Sequence, residues 1–161
     1  MYKHFKVYVG CSLTHAPAEF KQLVEQFKGK LSEVCTVMCF LGCGTGATPN
    51  EVYQYDIHEC VYKCDLMVGV CDLWATGLGY EIATQVEARR KPFLGLAHRE
   101  ATVTHLILDT RQPGFIFQRY EVLLEDGVEK VKEVLARMQA ESTNGTLFSE
   151  PATDTRETVA A

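Results

Sequence analysis

The sequence predicts an α/β fold: five parallel strands in one sheet, with helices covering both faces. Three observations predict it. Apolar, β-branched runs alternate with segments of helical periodicity, which implies a parallel sheet covered on both sides. One run is continuously apolar through its middle, as a strand buried on both faces must be. The chain has 161 residues, the size of one domain able to bury its own core.

The elements follow in order. Phe5 to Cys11 reads as the first strand, rich in aromatic and β-branched residues. Pro17 then opens a helix whose apolar positions Phe20, Leu23, Val24 and Phe27 recur at helical spacing, and Gly29 suits its C-terminal cap. Val34 to Leu41 is the second strand, and Asn50 to Lys63 the second helix. Asp65 to Cys71 is the buried third strand; a helix from Leu78 or Gly79 to Arg90 follows the loop Asp72 to Thr76. Pro92 to Leu96 is the fourth strand, with a short helix around Val103 to Leu108. Phe115 to Tyr120 is the fifth, and Val128 to Met138 a closing amphipathic helix. The architecture is a flavodoxin/Rossmann-like three-layer sandwich over residues 1–140. From Glu141 onward Ser, Thr, Asn, Gly, Glu and Ala dominate, too little apolar surface to offset ordering, so 141–161 is expected to be a disordered tail.

Composition excludes several functions. The net charge is −5, and no Lys/Arg cluster could neutralise a run of phosphates, so a nucleic acid polymer is not an expected partner. No apolar run approaches a membrane span, and the N-terminal segment lacks a signal peptide's apolar core, so the cytoplasm is expected. Seven cysteines, at 11, 35, 39, 43, 60, 64 and 71, lack the tight paired spacing of a zinc site and read as structural thiols. Neither metal nor cofactor is expected.

In open parallel sheets ligands collect beyond the carboxyl ends of the strands. That directs attention to Ser12–His15, Gly42–Thr48, Asp72–Glu81 and Ala97–Thr104. Asp72–Glu81 is the most informative of these. A buried strand delivers the chain to the sheet edge, Gly77 and Gly79 let backbone approach a ligand, and Glu81 falls in the first turn of the next helix. A carboxylate there is favoured by the helix dipole and is expected to be ionised at neutral pH, as attack on an anomeric carbon requires. The spacing alone fits equally a glycine-containing turn with a dipole-complementing glutamate. The loop Gly42–Thr48 lacks the Lys-Ser/Thr ending of a phosphate-binding loop and reads as flexible backbone.

Asp56, the run Cys64-Asp65-Leu66-Met67-Val68 and Gly77-Leu78-Gly79-Tyr80-Glu81, with Tyr8 and Ser12 after the first strand, resemble the nucleoside 2-deoxyribosyltransferase family. That family includes the 2′-deoxynucleoside 5′-phosphate N-hydrolases. The resemblance spans about residues 6 to 125 and implies that Glu81 attacks C1′ through a covalent glycosyl–enzyme intermediate, with retention. It implies that Asp56 orients the sugar or helps protonate the departing base, and that Tyr8 hydrogen-bonds the nucleophile. Either residue could instead be structural, Asp56 as a solvated carboxylate and Tyr8 as a core aromatic. Ser12, Asp72, Trp74, Gly77, Gly79 and Thr104 are the candidate substrate-binding positions, and Trp74 would stack on a base, cover the pocket or anchor a dimer. A hydroxyl near Thr104 reaches the neighbouring site in dimeric relatives, which implies a homodimer.

Two departures stand out. Asp56 lies nine residues before Asp65, one more than in those relatives, and Cys11-Ser12-Leu13-Thr14 stands where the phosphate hydrolases carry Gly-Ser-Ile-Arg. Without that arginine no 5′-phosphate requirement is implied. His15, His98, Arg99, Thr104 and His105 are the residues that could compensate. The alternative is a module on the same fold that binds a nucleotide or related metabolite without cleaving it. A flavin or thiol redox protein is a third reading, disfavoured by the absence of Cys-x-x-Cys.

Overall fold

The computed structural model describes residues 1–38 and 46–144. Five parallel strands form one sheet in the order β2-β1-β3-β4-β5. They are β1 (Tyr2–Cys11), β2 (Cys35–Met38), β3 (Leu66–Val70), β4 (Phe93–His98) and β5 (Phe115–Tyr120). This is the flavodoxin-like doubly wound order, whose direction of progression reverses between β1 and β3. In sheets of this kind ligands bind beyond the strand ends at the reversal, because the crossovers to either side leave in opposite directions.

Alternation along the strands divides the core in two. Val7, Val9, Leu66, Val68, Val70, Leu94 and Leu96 face one side, packed against Val24, Phe27 and Leu31 of α1 (Ala18–Val34) and Val131, Val134 and Leu135 of α5 (Val128–Asn144). Tyr8, Met67, Phe93 and Ala97 face the other. There they meet Ile57, Cys60 and Val61 of the second helical segment and Leu78, Ile82 and Val86 of the third. Every residue of β3 is buried, as its apolar run predicts.

Several boundaries differ from the sequence reading. α1 runs through Gly29, and Cys35 caps its end, so that glycine is no terminator. β2 is described only to Met38; its expected end at Leu41, like Cys39, Cys43 and most of the Gly42–Thr48 loop, lies outside the described residues. The second helix begins as α2 (Pro49–Tyr53), capped by Thr48 in a reciprocal box with Glu51. It continues as a π-helical stretch, Gln54–Cys60, and a 3-10 turn, Val61–Lys63. α3 (Thr76–Ala83) starts earlier than expected and passes into a π stretch, Thr84–Ala88. α4 is short (His105–Leu108). α5 reaches Asn144, past the expected boundary of the tail, whose remainder is outside the described residues. No helix among the described residues is long and apolar enough to cross a membrane.

Candidate active site

Tyr8 lies on β1, Asp56 on the π stretch after α2, and Glu81 on α3. The fold brings all three together on one face of the sheet, where the strand order reverses between β1 and β3. Tyr8 is buried, and its hydroxyl donates to Asp56 Oδ1 at 2.8 Å. Glu81 is 8% exposed, and its Oε2 has no hydrogen-bond partner among the described residues.

The extra residue between Asp56 and Asp65 is compatible with this arrangement. A π-helical stretch makes i→i+5 bonds and takes up more chain per turn than an α-helix. Gln54–Cys60 is such a stretch and contains Asp56. Asp65, by contrast, accepts from the Lys6 backbone N–H at 2.8 Å near the start of β3, a structural contact at the amino end of the sheet.

The electrostatics overturn one expectation. Because α3 begins at Thr76, Glu81 sits in its second turn, where the dipole has largely faded. Burial pushes the Glu81 carboxyl up to about 9, and the neighbouring Asp56 charge adds to the rise. Hydrogen bonding from Tyr8 pulls the other way. Asp56 is also raised by burial, an effect that hydrogen bonding from Tyr8 and Glu81 opposes. Two carboxyl groups this close, shielded from water, do not both ionise at neutral pH, so the pair retains a proton. Tyr8 is held far above the ordinary phenol range, first by burial and then by Glu81 and Asp56, and remains a donor.

The other predicted residues divide into two groups. Ser12 is buried, and its hydroxyl donates to the Trp74 carbonyl at 3.3 Å, tying the loop after β1 to the loop before α3. Gly77 and Gly79 have open space where a side chain would stand, so no protein backbone crowds them. Asp72 belongs elsewhere. Its Oδ1 accepts from the His98 backbone N–H at 2.9 Å and from the Tyr120 hydroxyl at 2.8 Å, while its buried Oδ2 has no partner among the described residues. Thr104 caps α4 by accepting from the Leu106 N–H at 3.4 Å. Trp74 is 80% exposed and donates from its indole to the Thr102 carbonyl at 3.3 Å.

Trp74 and Thr104 line a cavity of about 970 Å³ between α3 and α4. Leu78, Ile82, Val86 and Phe115 make much of its wall, and Glu81 does not line it. It is an apolar trough without the paired acids, so size does not make it the chemical centre. Of the residues named as compensating for the missing arginine, Arg99 is exposed and paired with Glu121 at 2.7 Å. His98 Nδ1 accepts from the Glu100 N–H at 3.3 Å. His15, Thr104 and His105 are exposed. The described thiols are unpaired, and burial raises those of Cys11, Cys35, Cys60, Cys64 and Cys71 to about 11 or 12, against a nucleophilic role. Among the described residues no group of three or more His, Cys, Asp and Glu could hold a metal ion.

Sequence reading missed Tyr120 as the partner of Asp72, because a tyrosine ending a strand looks like an ordinary core aromatic. It also missed the buried Gln85, which donates to the Pro92 carbonyl at 2.9 Å behind Glu81's helix.

Comparison with solved structures found the CMP N-glycosidase BcmB of Clostridium botulinum, at TM-score 0.59 and 17% identity over 79% of this chain and 98% of that one. It also found Smu.1420 of Streptococcus mutans UA159, at TM-score 0.42 and 10% identity over 83% of this chain and 97% of that one. The chain shares the fold of the first. No protein-family model matches it, and no curated protein does.

The Glu81 proton has a consequence for stability. Its affinity is higher in the folded chain than in the unfolded chain, where an ordinary value near 4.5 applies. Its contribution is therefore full below that value and lost as pH rises towards and through about 9. Glu81→Gln should abolish this loss and make the protein more stable than wild type at pH near 8, by on the order of a few kcal/mol. Urea denaturation of both proteins at acidic and mildly alkaline pH measures it; parallel pH dependences would contradict the raised affinity.

Proposed function

We propose that this protein cleaves or exchanges the N-glycosidic bond of a nucleoside or nucleoside monophosphate through a covalent glycosyl–Glu81 intermediate. The observation that carries the reading is the Glu81–Asp56 carboxyl pair beside the Tyr8 hydroxyl. The resemblance in sequence supports the same residues, and the shared fold with a CMP N-glycosidase supports a nucleotide-like small molecule as ligand.

One retained proton can serve both halves of the reaction. Positive charge developing at C1′ favours the ionised form of the acid nearest it, so the proton resides on Asp56 as substrate reacts. The Glu81 carboxylate then bonds to C1′ while the C1′–N bond breaks and its electron pair leaves with the base, which takes the Asp56 proton. In the second half water, or another base, attacks C1′ and releases Glu81; ionised Asp56 accepts the proton set free. Water makes the protein a hydrolase and a second base makes it a transferase. Tyr8 donates throughout, steadying Asp56 when it is charged.

Free base released from a panel of nucleosides and nucleoside monophosphates tests the proposal. Glu81→Ala should lose activity by about a thousandfold or more, and Asp56→Asn by about a hundredfold, as loss of a nucleophile and of a general acid do. Wild-type kcat/KM should fall as pH rises through about 9, where the pair loses its shared proton. Unchanged turnover in Glu81→Ala would overturn the assignment. A thermal shift with a nucleotide but no base release would favour the binding-module reading.

A homodimer in the cytoplasm belongs to the same proposal. Trp74 and Leu106, 80% and 78% exposed, flank the apolar cavity beside α3 and offer a second copy a surface next to Thr104. Light scattering should give twice the chain mass, and Leu106→Glu should give the single mass. A wild-type monomer at micromolar concentration would contradict it.

A further inference from the structure

Gly10 of β1, Gly69 of β3 and Gly95 of β4 are register partners and form a row across three adjacent strands. In parallel register such a row presents one face, and here the groups that fill it can be named. A side chain at Gly69 would meet the Phe93 ring at 2.9 Å, and one at Gly95 would meet Phe117 at 2.9 Å and Phe93 at 3.2 Å. At Gly10 the nearest atom is Glu81 Oε2, at 2.7 Å, followed by Leu78 Cδ1 at 3.0 Å and Met67 Cε at 3.1 Å. Aromatic rings thus fill two of the positions, and a carboxylate oxygen lies over the third.

We infer that Gly10 is a positioning residue: its missing side chain lets the Glu81 carboxyl group rest against the sheet backbone, and so fixes where that oxygen stands. A methyl group there would overlap Oε2, since atoms so built need more than 3 Å. The sheet lies below and Leu78 and Met67 stand alongside, which leaves displacement away from the sheet and out of the buried position the carboxyl group now holds. The kinetic consequence rests on Glu81 being the nucleophile proposed above; the structural consequence does not.

The test compares Gly10→Ala with Gly69→Ala, which also crowds a buried neighbour, but whose nearest atoms belong to Phe93 and Cys71 rather than to the acid. Denaturation at acidic and mildly alkaline pH supplies a readout independent of turnover. Gly69→Ala should lower stability equally at both pH values and leave the wild-type difference between them intact. Gly10→Ala should shrink that difference, because the displaced acid titrates nearer the ordinary range. Its kcat on the best substrate of the panel should drop about a hundredfold, as for a reacting group misplaced by about an ångström, with KM changed far less. Gly10→Ala/Glu81→Asp shortens the acid by one methylene and should be more stable than Gly10→Ala alone, even if the single variant folds poorly. An unchanged pH difference in Gly10→Ala, or no gain from the shortened acid, would overturn the inference. A shrunken pH difference in a protein that turns over no substrate would leave it standing and remove the proposed function instead.

Discussion

Two carboxyl groups share a space with too little water for both to be charged. Glu81 is buried and Asp56 half-buried; burial raises both acids, and the Asp56 charge raises Glu81 further, while hydrogen bonding from Glu81 favours the ionised form of Asp56. The Tyr8 hydroxyl donates to Asp56 at 2.8 Å and so supports charge on that acid. For the reaction we propose, burial alone would make Glu81 a poor nucleophile. In that proposal Asp56 takes the proton while positive charge grows beside Glu81, and the freed carboxylate then acts in a medium of low polarity.

The scaffold supplies this meeting through ordinary packing. β1 brings Tyr8, and the helices that follow β2 and β3 bring Asp56 and Glu81, so the acids come from two crossovers that meet at the reversal of strand order. Three glycines in register keep the sheet floor low on the face these helices cover. The helices are not regular: π stretches occur at Gln54–Cys60 and directly after α3, and such turns recur at functional sites. Arg89 spans the second and third helical segments, bonding the Cys64 carbonyl at 3.3 Å as well as Gln85 and the Val61 carbonyl. This bracing holds the backbones that carry the acids.

Much of the fold was legible because strand periodicity is a local property. Phe115–Tyr120 was read to the residue, and the continuously apolar β3 announced burial on both faces. Helix boundaries were less so. Gly77 and Gly79 suggested a late start for α3, yet the helix begins at Thr76, which moved Glu81 out of the first turn and removed the dipole argument for its charge. Its protonation could not be read from sequence, since it depends on Asp56, 25 residues away in the chain, and on shared burial. Asp72 shows the converse. It follows the buried strand as a ligand-facing residue should, but its side chain turns to Tyr120 and the His98 backbone, contacts made only when β4 and β5 assemble.

The most direct measurement is a carbon-13 NMR titration of side-chain carboxyl groups, with the Glu81 resonance identified by its absence in Glu81→Gln. The structure predicts a carboxyl group that titrates near 9 in the free protein. Its midpoint should drop in Asp56→Asn, where the neighbouring charge is gone. A Glu81 resonance titrating near 4.5, indifferent to Asp56, would contradict the shared proton and the chemistry built upon it.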